Sequence, residues 1–98
     1  MIHAKKVKPE YFEALQLGDK TFELRREDPG QPAFAVGDYL AVNEWDPERP
    51  EDRRYTGACL LFRITYVLRG FELLAPGAVA LGLRLMPLCA ADLKTLQR

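Results

Sequence analysis

Lys20, Glu23 and Arg25, close together in the stretch GDKTFELRRED, are residue types that could act on one ligand. An arginine fork gives paired N–H bonds to two acceptors, a nearby carboxylate orients the fork or accepts from an exocyclic amine, and an ammonium holds phosphate as a point charge. That combination suits a nucleobase edge or a phosphate. The same groups permit proton transfer, with Lys20 as a tuned base or charge stabiliser and Glu23 as the group that carries the proton. Strand alternation places Phe22 and Leu24 on one face and Thr21, Glu23 and Arg25 on the other, with Glu23 and Arg25 roughly 7 Å apart along the strand. The expectation is that Phe22 and Leu24 face a core and the polar row faces an open surface. Lys20 has the wrong parity and joins only by rounding the strand's end. Spacing alone favours a plainer account, a solvated salt-bridge row on an edge strand, where charges deter pairing and contribute little energy.

Other candidates flank this row. Glu44 is either a second carboxylate in the same cleft, and so another proton-transfer candidate, or a charge at a strand end. Trp45 beside it could stack a base, although large aromatics more often pack in a core or at its rim. Tyr55 and Thr56 offer hydroxyls to a ligand, and Gly57 either permits close approach or marks a bulge. His3, the single histidine, is more often a hydrogen-bonded structural residue than an acid–base catalyst in such a setting. Arg63 interrupts an apolar run and either reaches a barrel mouth or lies on a solvent face.

The bulk composition narrows the classes. Formal net charge is zero over 98 residues, so a strongly basic, salt-driven nucleic-acid binder is not indicated, although Lys5, Lys6 and Lys8, Arg25 and Arg26, and Arg53 and Arg54 form local patches. There is no serine, which removes the serine nucleophile and leaves threonines, lysines and two thiols. Cys59 and Cys89 lie outside any CxxC spacing and read as reduced thiols. Ligand-type His and Cys residues do not cluster, so neither a metal nor another cofactor is expected. No apolar run approaches a membrane span, and no h-region follows the N-terminal lysines, so a cytoplasmic protein is expected.

These side chains must be positioned by few elements. Residues 2–7 read as a strand. KPEYFEALQLG reads as a helix, with Pro9 at its first position, Glu10 near the positive end of the dipole, Gly18 as the left-handed stop, and Phe12, Leu15 and Tyr11 as apolar face candidates. Residues 20–26 form a second strand and EDPGQPAF a loop. VGDYLAVNEW is a third strand, entered through a Gly37–Asp38 turn, and DPERPEDRR is an exposed, proline-broken charged loop. YTGACLLFRITYVLRG is a long fourth strand and AVALGLRLM a fifth, with AADLKTLQR as a C-terminal helix or tail. The order predicts one α+β domain over residues 1–98: a small, partly closed five-stranded barrel with one helix after the first strand and a short C-terminal helix.

In this order and spacing the chain resembles the ASCH domains of the PUA-like superfamily, and most of all a small uncharacterised bacterial and phage subfamily, domain of unknown function 3850. GDKTFELR is similar to the GxKxxExR signature; His3 and Lys6 of HAKK, KPEYFEAL, FAVGDYLAVNEW, YTG and ITYVLRG carry the rest. The resemblance implies a PUA-like pseudo-barrel with a cleft beside the signature strand, and RNA or a nucleotide-like ligand as partner. It draws His3, Lys6, Lys20, Glu23, Arg25, Glu44, Tyr55 and Thr56 into one ligand-binding set. Some ASCH relatives are hydrolases of acylated cytidine or of RNA, so a metal-independent hydrolase is the rival reading. In the amidohydrolases a second threonine of the signature is catalytic; Glu23 stands there in this chain, a departure from that activity's pattern. Lys5, Pro29 and Ala58 also depart from the pattern, the last two where basic residues are common. A third class is a protein-interaction module using the 46–54 loop.

Overall fold

The computed structural model describes residues 1–87. Its elements are strand β1 (Ile2–Val7), helix α1 (Pro9–Leu17), strands β2 (Phe22–Arg26) and β3 (Tyr39–Trp45), a single 3₁₀ turn (Glu51–Arg53), and strands β4 (Tyr55–Leu68) and β5 (Ala78–Leu85). The expected C-terminal helix over residues 90–98, and Cys89, lie outside the described residues. The strands form one mixed sheet in the order β1-β3-β4-β5-β2. β1 pairs with β3 in parallel and the other neighbours pair antiparallel. The result is a half-barrel, α+β as expected, whose two edge strands, β1 and β2, flank an open seam.

Local chemistry explains the helix. Pro9 sits in its first turn and Glu10 lies near its positive end, while Gly18 stops it at φ 82° with its N–H on the Leu15 carbonyl at 3.3 Å. Phe12 and Leu15 face the core, whereas Tyr11 is exposed. The sheet curls because two of its ladders slip. The β3–β4 register breaks between Asn43 and Trp45, and the β4–β5 register between Ile64 and Tyr66; such bulges bend and twist a strand. Gly57 lies in the first irregularity at φ 90°, so its structural role is that of a bulge residue. At the second, a Cβ on Gly82 would come within 3.1 Å of Thr65 Oγ1 and Tyr66 Cβ, so a side chain there would require those neighbours to shift by a few tenths of an ångström.

The concave side holds the main core: Val7, Phe12, Leu15, Leu40, Val42, Phe62, Ile64, Val79, Leu81, Leu83 and Phe34. Ala41 and Leu61 are buried on the reverse face, packed by Ile2, Tyr39 and Met86. Burial on both faces accounts for the nearly unbroken apolar runs of β3 and β4. Phe34 belongs to the stretch read as a plain loop, yet it is buried and fills one end of the barrel. Arg63, at the position across from Tyr39, lies on the reverse face and donates to the Tyr39 hydroxyl at 3.3 Å.

One expectation is overturned. Phe22 and Leu24 are 47% and 56% exposed, while Glu23, placed by its sequence pattern on an open surface, is only 5% exposed. Glu23 and Arg25 do share a face, but it is the inner one.

Candidate functional site

Register is the cause of this inversion. Glu23 pairs with Leu81 and Arg25 with Val79, and directly opposed residues project their side chains to the same side. Leu81 and Val79 are core residues, so Glu23 and Arg25 stand on the concave face. Phe22 and Leu24 pair with Gly82 and Ala80 and point outward.

The same register decides where backbone groups point. Leu83 N–H donates to the Thr21 carbonyl at 3.0 Å, and Glu27 N–H donates to the Gly77 carbonyl at 2.8 Å. In an antiparallel ladder hydrogen-bonded pairs alternate. The odd residues of β2 therefore bond to β5, and the N–H and C=O groups of Phe22 and Leu24 face the seam. On β1, Tyr39 N–H donates to the Met1 carbonyl at 2.9 Å. By the parallel pattern, the odd residues bond to β3 and Lys6 turns its backbone to the seam.

Between these edges lies a cleft of about 480 Å³. Its walls are residues 6–8 on one side and residues 22–25 on the other, with Tyr11 and Lys20 beside them. Glu23 Oε1 accepts from Lys20 Nζ at 2.5 Å. Lys20 follows α1 and reaches Glu23 around the end of β2, as the parity argument requires. Its ammonium also lies 5.2 Å from the Tyr11 ring centroid and 5.4 Å from that of Phe22, within cation–π range. Arg25 is held more loosely. Its Nη1 stands 3.6 Å from Glu23 Oε2 and 3.4 Å from the Lys6 carbonyl, both beyond the usual 2.7–3.2 Å of an N–H···O bond. The cleft thus combines a buried carboxylate, a lysine fixed on it, an under-used arginine fork, an aromatic rim and unpaired strand-edge amides.

The other residues singled out from sequence are dispersed. Lys6 offers the cleft its carbonyl, while its ammonium sits 3.9 Å over the Trp45 ring. Glu44 accepts from the Thr56 hydroxyl at 2.6 Å across the β3–β4 bulge; neither residue lines the cleft, and neither does the exposed Tyr55. His3 is at the opposite end of β1, buried against the Phe34 ring at 4.6 Å, with its Nε2 2.9 Å from Asp38 Oδ2.

That opposite end is a second polar cluster. Arg69 Nε and Nη2 donate to the two oxygens of Glu27, each at 2.9 Å, and Nη2 also donates to the Phe34 carbonyl at 2.7 Å. Phe34 N–H donates to Glu27 Oε2 at 3.0 Å. The Arg69 guanidinium holds the Glu27 carboxyl below its ordinary value, aided by Phe34 N–H and opposed by burial. The His3 hydrogen bond does the same for Asp38, with the N-terminal ammonium and Ala35 N–H assisting against burial.

Sequence reasoning did not pick out Lys8, Tyr11 and Phe22 as cleft residues. A signal was present for two of them: Lys8 and Tyr11 are three apart at a helix start, the spacing of neighbours on one helix face. Among the described residues, no group of three or more His, Cys, Asp or Glu side chains could hold a metal ion. Within the same residues, no helix is long and apolar enough to cross a membrane.

Residues 2–83 match the family described as Domain of unknown function (DUF3850), and the chain belongs to that family. Among curated proteins, none matches it.

Proposed function

We propose that the seam cleft binds RNA or a nucleotide-like ligand, and that the chain is an ASCH-type member of the PUA-like superfamily acting in the cytoplasm. One observation carries the reading: the charged row of β2 points inward onto a cavity between two unpaired strand edges. Burying a carboxylate is costly unless partners hold it, and a charged inner face here serves the cleft better than it serves the core. A nucleobase between the edges meets N–H and C=O groups of Phe22 and Leu24, which match the alternating donors and acceptors of a base edge. Arg25, with contacts of 3.4 and 3.6 Å, has donors to give to a pair of oxygens. Lys8 and Lys20 favour phosphate, and the Tyr11 and Phe22 rings offer stacking surface. The half-barrel order and the GxKxxExR stretch that runs from the end of α1 into β2 support the superfamily assignment.

A second reading has one observation in its favour. The direct contact between Lys20 Nζ and Glu23 Oε1 pairs an amine and a carboxylate in the cleft, groups that a metal-independent hydrolase of a modified nucleoside or of RNA could use. A panel of nucleosides, nucleotides and short RNAs, assayed for both binding and product, separates the readings. Saturable binding without product supports the binding module, and turnover abolished by Lys20→Met supports the hydrolase. Neither binding nor turnover across the panel defeats both.

A further inference from the structure

Trp45 lies outside the cleft but is coupled to it through one residue. Lys6 is on the β1 edge, where its carbonyl receives Arg25 Nη1 at 3.4 Å. Its side chain crosses to the convex face and sets its ammonium 3.9 Å over Trp45, well inside cation–π range. β1 and β3 are adjacent and their ladder ends at Val7 opposite Glu44, so Trp45 lies one residue beyond the last pair, next to the end of the strand that walls the cleft. Trp45 is paired in register with Tyr55, which is 62% exposed. A second cation at Trp45, the Arg54 guanidinium, is 5.7 Å from the ring centroid, near the 6 Å limit of such contacts, and its Nε donates to the Arg49 carbonyl at 3.3 Å, a bond that an incoming base must also replace.

We infer that Trp45 and Tyr55 form a stacking platform for the nucleotide next to the one in the cleft, so that the site takes a single-stranded oligonucleotide rather than a free nucleotide. This rests on the cleft reading and extends it. A strand leaving the cleft over the β1 edge meets the Lys6 ammonium where its phosphate passes. It then lays the following base on the two rings in place of Arg54. Base stacking on aromatic side chains tolerates any sequence, so length, not sequence, governs the gain.

Trp45 is the chain's single tryptophan and reports on this directly. The four ribonucleoside monophosphates and a mixed-sequence trinucleotide RNA are titrated while affinity and tryptophan emission are followed. The trinucleotide is expected to bind about 5- to 150-fold more tightly than the best mononucleotide, the worth of one stacked base, and to change Trp45 emission at saturation. Trp45→Leu, with urea melts to establish that it is folded, is expected to abolish the gain from length. If mononucleotides bind and length adds nothing, or if Trp45 emission ignores bound trinucleotide, the platform falls and the cleft reading stands. If neither length binds, the cleft reading falls and the platform with it. Retention of the length gain by folded Trp45→Leu also overturns the platform; Tyr55→Ala, at an exposed position, repeats the test without disturbing packing.

Discussion

The two ends of the seam strands carry similar ion pairs in different states. At one end Glu27, Arg69, His3 and Asp38 close around Phe34 with contacts of 2.7–3.0 Å. At the other, Arg25 reaches its partners only at 3.4 and 3.6 Å, beside an open cavity. A saturated cluster around a buried ring holds a loop in place. An unsaturated one beside a cleft leaves hydrogen-bond donors available. Charge content does not separate the two ends; completeness of the hydrogen bonding does.

The largest effect belongs to the closed end. Phe34→Ala empties a filled barrel end and is expected to cost about 3–5 kcal/mol, a large part of the ~5–15 kcal/mol that holds a domain. Urea unfolding checks it, and a loss under 1 kcal/mol would mean the closed end is no more structural than the open one. Next, Arg69→Ala removes charge-assisted bonds to Glu27 and to a backbone carbonyl. Its expected cost is about 1.5–3 kcal/mol, reduced toward the lower figure because Arg69 is half exposed.

At the open end the sign of the comparison reverses. Arg25→Lys keeps the charge and loses the fork. Affinity for a nucleotide or short RNA identified as ligand is expected to fall by about 1–3 kcal/mol, with stability changed by only ~0–1 kcal/mol. Calorimetry on both properties decides: unchanged affinity beside a clear loss of stability would make the two ends alike, both holding the barrel.

Acidity sharpens the contrast further. The folded-state values of Asp38 and Glu27 are lowered, so the folded protein binds fewer protons than the unfolded one. Their stabilisation is fully present above the ordinary carboxylate value of about 4 and is lost as pH falls through the lowered values. Asp38→Asn and Glu27→Gln are each expected to flatten the fall in urea midpoint with acid, while Arg25→Lys leaves its shape unchanged. The smallest effect is that of Arg84→Lys on the exposed part of β5, expected to move stability and affinity by under about 0.5 kcal/mol.

Local signals in the sequence determined the elements. Proline, helix period and glycine delimit α1, and runs of branched and aromatic residues mark β3, β4 and β5, because propensity and periodicity act within a few residues. The same signals brought Lys20, Glu23 and Arg25 together, since they lie on and beside one strand. They failed on which way β2 faces. Phe22 and Leu24 alternate with charged residues as in an amphipathic strand, and burial would favour them inside. Pairing of β2 with β5 instead set Glu23 opposite Leu81 and Arg25 opposite Val79. A shift of one residue in that register would turn every β2 side chain to the other face, and long-range pairing alone fixes it. The tertiary structure likewise decided that Phe34, in a proline-rich loop, fills a core, that His3 serves the closed end and not the cleft, and that Glu44 is tied to Thr56. Each depends on partners distant in sequence, whose approach no local pattern encodes.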